Sequence, residues 1–217
     1  MKKTLIYALL VFTACTSNPK GDSAETTDKK ESAEKKGSEY KVDTSSLIRW
    51  AASKPTATHS GIIKIQSGNL FVDGNSVTGG SFTIDVTSLK NVDLSNDPTQ
   101  QGKLEGHLKS PDFFDVTKFP TARFVITSIE PYQADSSQGV IKNSTHLVKG
   151  NLSLKDSTKN ISFPARITVD EKTLSASADF NIDRTLWGIN YKGPGNPENW
   201  FISKEINLKL MISGSKN

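Results

Sequence analysis

Apolar and polar side chains alternate with a period of two through most of the chain after Tyr40, and this feature restricts its fold most. In the run SFTIDV, Phe82, Ile84 and Val86 share one face, while the residues between them are mostly polar. The same alternation occurs in eight segments, 47–52, 61–65, 80–86, 122–129, 146–154, 160–169, 174–182 and 206–212. The sequence therefore predicts an all-β domain.

Turn-forming residues separate these segments. Asp73-Gly74-Asn75, Asp156–Lys159 and Asp170–Lys172 have the composition of hairpin turns, which join antiparallel neighbours. A meander of about eight strands removes its exposed edges by closing into a barrel. We therefore expect an eight-stranded antiparallel barrel.

One segment, Asp97–Phe114, lacks the alternation. Asp97 followed by Pro98 is typical of a helix start, with the aspartate as cap and proline at the first position. We expect a short helical segment across one barrel end. Its expected packing residues are Leu104, Leu108, Phe113 and Phe114.

The N-terminus is typical of a secretory signal. Lys2 and Lys3 precede an apolar run, residues 5–12, that is too short to span a bilayer. Small residues then precede Cys15, the only cysteine, in an arrangement that resembles the lipobox of bacterial lipoproteins. We predict a signal peptide over residues 1–14 and an acylated Cys15; the alternative is a plain secretory signal with an incidental cysteine. A lone cysteine excludes an internal disulfide.

Residues 16–39 contain no aromatic or branched aliphatic side chain and mix lysine evenly with acidic residues. Such a composition buries too little apolar surface to fold. We therefore predict that residues 15–39 form the acylated cysteine and a disordered tether, and that the folded domain spans residues 40–217.

Charge and composition also limit the function. The net charge is +4, of which Lys2 and Lys3 contribute two, and no stripe of basic residues with interleaved aromatics occurs, so we expect no nucleic-acid partner. The three histidines, His59, His107 and His146, lack metal-ligand spacing. No Gly-x-Ser-x-Gly elbow occurs either. We therefore expect neither a metal site nor an enzyme.

Four segments together resemble the YceI-like family of polyisoprenoid-binding, lipocalin-like periplasmic proteins. They are GGSFTIDVTSL at 79–89, HLKSPDFFDVTKFPTARF at 107–124, GNLSLKDSTKNISFP at 150–164 and ADFNIDRTLWGI at 178–189. The resemblance implies an eight-stranded antiparallel lipocalin-like barrel with a helix at one end. In some relatives the lumen holds an isoprenoid chain, with or without a quinone head, and no other cofactor is expected.

Inward-facing residues of the predicted strands are the first candidates for ligand binding. They are Phe82, Ile84, Phe124, Ile126, Leu152, Leu154, Phe163, Phe180 and Trp187. Phe113 and Phe114 are further candidates, one as a cap on the lumen and the other as packing beneath the helical crossing. His107 either contacts a ligand head group or makes a structural hydrogen bond. The resemblance implies that Arg184 pairs with an acid, such as Asp85 or one of the neighbours of Asp183, to close the barrel; the alternative is that it binds a head group.

The leading hypothesis is a bacterial cell-envelope lipoprotein, anchored to a membrane through acylated Cys15, periplasm-facing or in the outer membrane. It would carry or sequester an apolar lipid, a polyisoprenoid or isoprenoid quinone. The alternative is a barrel with a filled lumen that acts as a stress or assembly factor through the loop 193–201. A third hypothesis is an electron-transfer accessory that holds a quinone.

Overall fold

The computed structural model describes residues 21–133, 143–193 and 202–216. The predicted signal peptide and Cys15 therefore lie outside the described residues, as does the predicted interaction loop beyond Gly193. All eight predicted strands are present, and most are longer than the alternation alone indicated.

The elements follow one another as a long meander with one helical excursion. In chain order they are β1 (Asp22–Ser23), β2 (Glu25–Asp28), β3 (Ser38–Val42), β4 (Leu47–Lys54), β5 (Ala57–Asp73), β6 (Ser76–Asn91), α1 (Pro98–Lys109), β7 (Thr121–Pro131), β8 (His146–Leu154), β9 (Ser157–Val169), β10 (Thr173–Asp183), a 3₁₀ helix (Arg184–Trp187) and β11 (Glu205–Lys216).

Strands β4 to β11 form a closed antiparallel barrel of eight strands, which confirms the predicted fold class. Each strand from β5 to β10 pairs with its neighbours in sequence, and β11 closes the barrel by pairing with both β10 and β4. Strand β3 occupies the same place in the sheet as β4, because it also pairs with β5 and β11, but it lies towards the opposite end of the barrel. We call the end that carries α1 and the 3₁₀ helix the helix end, and the opposite end the far end.

The sheet opens between β9 and β10 towards the helix end. These strands pair only from Leu174 to Ala178 of β10. Strand β1 enters the gap parallel to β10, with Asp22 opposite Phe180, and β2 runs antiparallel to β9, with Glu25 opposite Ser162. The N-terminal segment thus supplies strand partners where the barrel would otherwise be unpaired.

The chain then crosses the outer surface of the barrel. Lys30 bonds to the side chain of Asn151 on β8, the Ala33 amide donates to the Ile126 carbonyl at 2.9 Å, and the Lys36 amide donates to Thr78 Oγ1 at 3.1 Å. Gly37 ends the crossing with φ of 88°, and a Cβ there would lie 2.0 Å from the Val72 carbonyl oxygen. We call residues 21–37 the N-terminal strap.

The sequence predicted a disordered tether over residues 15–39. This prediction is wrong for the described residues 21–39, which contain β1, β2 and the start of β3. That prediction counted only the apolar surface that the segment itself could bury. Main-chain hydrogen bonds need no apolar side chain, and the strap satisfies strand edges that the barrel leaves open. Its charged side chains remain largely at the surface.

Helix α1 begins as predicted, with the Asp97 side chain accepting from the Gln100 amide at 3.1 Å and proline at its first position. It ends at Lys109 rather than extending to Phe114, because Ser110 is extended and Pro111 follows. Leu108, Phe113 and Phe114 pack against the core, whereas Leu104 is not among the residues that do so. Among the described residues, no helix has the length and apolar character needed to cross a membrane.

Candidate functional site

The barrel interior contains two apolar chambers along its axis. The far chamber has a cavity volume of about 110 Å³. Its wall consists of residues from β4 to β11, nearly all of them inward-facing: Ile48, Ile65, Leu70, Val77, Phe82, Ile84, Phe124, Ile126, Ile129, Val148, Leu152, Ile161, Phe163, Ala165, Ile167, Leu174, Ala176, Ser177, Ala178, Phe180, Leu208, Leu210 and Ile212. Because side chains alternate across each strand, the period-two pattern of the sequence directly produces this wall.

The helix-end chamber lies beneath α1 and the segment that follows it, and also has a cavity volume of about 110 Å³. Its wall contains Ile48, Trp50, Ala52, Ile63, Ile84, Val86, Leu89, Leu108, Phe113, Phe114, Ala122, Leu152, Leu154, Ile182, Arg184, Ile189, Ile202, Ile206 and Leu208. Phe113 is buried and Phe114 is half-buried, so both rings close this chamber beneath the helical crossing.

The two chambers share four wall residues, Ile48, Ile84, Leu152 and Leu208. These residues belong to β4, β6, β8 and β11, on different sides of the barrel. The chambers are therefore adjacent parts of one elongated, apolar lumen. An apolar cavity of roughly 150 Å³ is sufficient for a benzene molecule. Each chamber alone has a smaller volume than that, so a ligand larger than a small ring would have to occupy both chambers.

Four phenylalanines form a belt in the wall of the far chamber. The ring centroids of Phe82 and Phe124 are 6.4 Å apart, those of Phe124 and Phe163 are 5.9 Å apart, and Phe163 stacks on Phe180 at 4.0 Å. Such contacts fix ring positions as well as burying area. The belt gives this part of the lumen a rigid wall.

Arg184 is the one charged side chain in the described wall of the lumen, and it is 1% exposed. Its guanidinium donates to four main-chain carbonyls: Nε to Ser203 at 3.0 Å, Nη1 to Ile189, and Nη2 to Tyr191 at 3.1 Å and to Ile202 at 3.0 Å. Burial lowers the pKa of this group from its ordinary value. These bonds tie the chain on either side of residues 194–201 to the end of β10.

The predicted pairing of Arg184 with Asp85 is wrong. Asp85 accepts from Thr87 and Ser88 on its own strand instead. Arg184 begins the 3₁₀ helix at the end of β10, where the main chain turns and exposes carbonyl groups that are not used by the sheet. Those carbonyls satisfy its donors without a carboxylate.

Asp183 caps the 3₁₀ helix beside Arg184. Its carboxylate accepts from the Thr185 amide at 3.0 Å and from Thr185 Oγ1, and pairs with Lys204 Nζ at 3.1 Å. Burial acts to raise the pKa of Asp183, but the Thr185 and Lys204 hydrogen bonds outweigh it, and the pKa lies below its ordinary value. Asp183 is therefore a stronger acid than an ordinary aspartate, and its carboxylate pairs with Lys204 rather than with the guanidinium.

His107 lies outside the walls of both chambers. Its Nε2 is 2.9 Å from Asp112 Oδ2, and its ring packs edge-on against Phe113 and Tyr191, with centroid distances of 5.1 and 4.8 Å. Of the two roles considered for His107, the geometry shows the structural hydrogen bond. The residue connects the end of α1 to the segment that holds Arg184.

Most of the other candidates from the sequence lie in the lumen wall. Those placed there are Phe82, Ile84, Phe113, Phe114, Phe124, Ile126, Leu152, Leu154, Phe163 and Phe180. Trp187 is fully buried at the helix end but lines neither chamber, and its Nε1 donates to the Leu152 carbonyl at 3.0 Å.

Sequence reasoning did not single out Ile48 and Trp50 of β4, although both line the lumen. The signal was present, because these two residues alternate with Leu47 and Arg49 in a predicted strand. Across the described ranges 21–133, 143–193 and 202–216, no cluster of three or more His, Cys, Asp or Glu side chains suited to a metal ion occurs.

The sequence from residue 40 to residue 213 matches the YceI-like domain. The chain belongs to the YceI-like family. This YceI-like chain is similar to UPF0312 proteins of two Pseudomonas putida strains, F1 and KT2440. Each is 29% identical over 188 residues, which cover 82% of this chain and 86% of the relative.

Solved structures show the same fold. BcnA of Burkholderia cenocepacia superposes with a TM-score of 0.61 at 19% identity, covering 79% of this chain and 98% of BcnA. A polyisoprenoid binding domain from Saccharophagus degradans, implicated in plant cell wall breakdown, gives 0.59 at 14% identity, covering 82% of this chain and 98% of that domain. Both likenesses support the YceI-like fold.

Proposed function

We propose that this YceI-like chain is a non-catalytic envelope lipoprotein whose barrel lumen holds a slender apolar lipid, such as a polyisoprenoid, as a carrier or in a sequestered form. The observation that carries the proposal is the apolar space inside the barrel, formed by two adjacent chambers that share four wall residues. A lumen filled by its own side chains would leave no such space, so the cavity favours a carrier over a filled barrel.

The chemistry of the wall supports an apolar chain as the ligand. Among the side chains that line the two chambers, only Ser177, Trp50 and Arg184 carry a polar group. Burying about 300 Å² of hydrocarbon at about 25 cal/mol per Å² contributes roughly 7 kcal/mol, from which the cost of association is subtracted. Burial alone therefore supplies useful affinity with few polar contacts.

The relatives also support this ligand class. The Saccharophagus degradans domain, described as polyisoprenoid binding, shares the fold over almost its whole length. A similarity at 14% identity shows a shared fold but does not identify the ligand of this chain. The proposal for this chain therefore depends on its own lumen, and the relative indicates which slender lipid to test first.

Membrane anchoring through Cys15 is part of the proposal. Six residue steps separate Cys15 from Gly21, where the strap begins. Even fully extended, they span at most about 20 Å. Strand β1 pairs with β10 at Phe180, close to the helix end. Because β1 runs parallel to β10, it is directed towards the helix end and enters from the far-end side. An acylated Cys15 would therefore hold the barrel close to the membrane without selecting the helix end.

Extraction of the protein purified from its native membrane tests the proposal. Organic extraction followed by mass spectrometry should release a stoichiometric, chain-like lipid. Recovery of a quinone would favour the electron-transfer hypothesis. Absence of any lipid, together with failure of the refolded protein to bind an added C20 isoprenoid hydrocarbon, would reject lipid binding.

A further inference from the structure

The wall of the barrel is interrupted between β9 and β10. From the turn at 170–172 the two strands pair with each other as far as Ala165 and Ala178. The pairing stops at Pro164, which has no main-chain N–H, and proline is typical of sheet edges and interruptions. Towards the helix end from this point, β9 and β10 are no longer partners, so the barrel has a lateral gap.

The N-terminal strap fills this gap as an inserted strand. Strand β1 is parallel to β10 and β2 is antiparallel to β9, so residues 22–28 run in one direction between the two separated edges. Where the strap changes partner, the Ala24 amide donates to the Asn181 carbonyl at 2.8 Å. The strap thus pairs with residues 159–162 of β9 and with residues 180–181 of β10. It completes the wall of the barrel.

Two phenylalanine rings lie on the lumen side of the gap. Phe163 of β9 and Phe180 of β10 would be direct partners if the register of the paired part continued. Their rings stack at 4.0 Å with an interplanar angle of 10°, and both line the far chamber. Ala24 of the strap also packs against the core. At the gap, the strap and this ring pair therefore form the wall of the far chamber.

Hydrogen bonds, rather than apolar burial, hold the strap in place. Its two apolar side chains, Ala24 and Ala33, are small. The remaining contacts include the strand pairing of β1 and β2 and the two bonds that Lys30 exchanges with Asn151. A segment with few buried apolar contacts opens at a lower free energy than the whole fold. The strap can therefore detach while the eight-stranded barrel stays folded.

We propose that the gap between β9 and β10 is the entry site for the apolar lipid, and that the N-terminal strap is its gate. When the strap detaches, rotation of the Phe163 and Phe180 side chains connects the far chamber to the outside. The helix end is the less open route, because α1, Phe113 and Phe114 cover it. This inference depends on the proposed lipid binding and adds the path by which the ligand enters.

A disulfide that locks the strap tests the gate. Glu25 of β2 pairs with Ser162 of β9, and the Cα atoms of antiparallel partners lie about 4.5 to 5.5 Å apart, a distance that a disulfide spans. Glu25→Cys and Ser162→Cys are combined in a full-length chain that carries Cys15→Ser, which removes the native thiol and the predicted anchor. Cys15→Ser alone is the reference protein.

The measurement is the rate of lipid uptake. Lipid-free protein receives a labelled C20 isoprenoid hydrocarbon from its cyclodextrin complex, and gel filtration at timed intervals gives the label bound to protein. The oxidised strap disulfide should slow uptake by roughly 10-fold or more, because local opening of the strap is prevented. Reduction with dithiothreitol should restore the reference rate.

Thr168→Cys with Ser175→Cys is the matched control. These two exposed residues are partners in the part of β9 and β10 that is already paired, so their disulfide should not change the rate. Asn151→Ala acts in the opposite direction without a disulfide. Because opening the strap then no longer breaks the two bonds with Lys30, uptake should become roughly 10-fold or more faster. Circular dichroism at the assay temperature checks that each variant is folded.

Failure of the gate and failure of lipid binding give different results. A reference protein that takes up no label rejects the proposed lipid binding. Uptake by the oxidised strap disulfide at the reference rate rejects the gate and leaves lipid binding intact. Equal slowing by the control disulfide would also overturn the gate, by showing that any link between β9 and β10 slows entry. So would unchanged uptake by Asn151→Ala.

Discussion

Asn151 and Lys30 exchange two hydrogen bonds across the outer surface of the barrel. The Lys30 amide donates to Asn151 Oδ1 at 3.0 Å, and Asn151 Nδ2 donates to the Lys30 carbonyl at 2.7 Å. The side-chain amide thus imitates one residue of a neighbouring strand. Asn160 Nδ2 adds a third bond, to Asn151 Oδ1 at 3.1 Å, so a buried amide on β8 joins the strap to the barrel.

Asn151→Ala should therefore destabilise the protein by about 2 to 4 kcal/mol, because it leaves the main-chain amide and carbonyl of Lys30 without these partners. It also removes one of the bonds of Asn160 Nδ2, which keeps its bond to Thr127 Oγ1. Urea denaturation measures the loss, and trypsin cleavage near Lys30 should become faster if the strap detaches first. Lys149→Gln is the control on the same strand face. Its ion pair with Glu130 is at the surface, so its loss should cost less than about 1 kcal/mol. Equal costs for the two variants would contradict the structural role of the strap.

Cys15→Ser should move the protein from the membrane fraction to the soluble fraction without unfolding the barrel. Acyl chains contribute roughly 0.8 kcal/mol per buried CH₂, so their loss should be decisive. Fractionation with immunoblotting measures the distribution, and circular dichroism checks the fold. Thr16→Ser, which keeps Cys15, is the control. Unchanged membrane association of Cys15→Ser would show that the anchor lies elsewhere.

The barrel could be predicted from sequence because alternation identifies the inward face of every strand. Phe82, Ile84 and Phe124 occupy the lumen wall for that reason. The strap could not be predicted in the same way, since its contribution comes from main-chain hydrogen bonds, which no composition reveals. The hydrogen-bond partners of Arg184 could not be predicted either, because they are carbonyls whose positions depend on the turn after β10.

The Trp50 indole illustrates a further limit. Alternation identifies Trp50 as inward-facing, but a missing hydrogen-bond partner is a property of the whole surrounding wall. Trp187 and Trp50 look equivalent in sequence, and only the packed structure distinguishes the satisfied indole from the unsatisfied one.

Phe113 and Phe114 should differ in their effect on stability. Phe113 is buried against His107 and Tyr191, so Phe113→Ala should cost about 3 to 5 kcal/mol. Phe114 is half-buried, so Phe114→Ala should cost about 1 to 2 kcal/mol. Urea denaturation of the lipid-free protein measures both. The reverse order would show that Phe114, rather than Phe113, supports the helical crossing.

Asp183→Asn should make the free energy of unfolding less dependent on pH in the acidic range. The pKa of Asp183 is lower in the folded protein than its ordinary value, against the effect of burial, because Thr185 and Lys204 bond to the carboxylate. A lowered folded pKa means that the carboxylate stabilises the fold above about pH 4 and that this contribution is lost as the pH falls further. The wild type should therefore be the more stable protein at neutral pH, and the difference should shrink in acid.

Urea denaturation at several values from about pH 6 to about pH 2 measures this effect. Asp156→Asn is the matched control. Asp156 lies in the exposed turn after β8 and has no ion pair with a lysine among the described residues, so its replacement should leave the acid dependence almost unchanged. A constant difference between wild type and Asp183→Asn at every pH would show that the cap acts through geometry rather than charge.

Ile126→Trp should separate an occupied lumen from a packed one. Ile126 is 3% exposed and lines the far chamber, so a larger ring there would fill space that the lipid uses. We expect co-purified lipid to disappear while the melting temperature of the lipid-free protein stays nearly the same, because the ring enters existing space. If side chains instead filled the lumen, the added atoms would force strain and cost about 1 to 3 kcal/mol with no lipid to lose.

Arg123→Trp, on the exposed face of the same strand, controls for tryptophan itself and should change neither lipid content nor stability much. A strongly destabilised Ile126→Trp, combined with a wild type that carries no lipid, would reject the carrier in favour of the filled barrel.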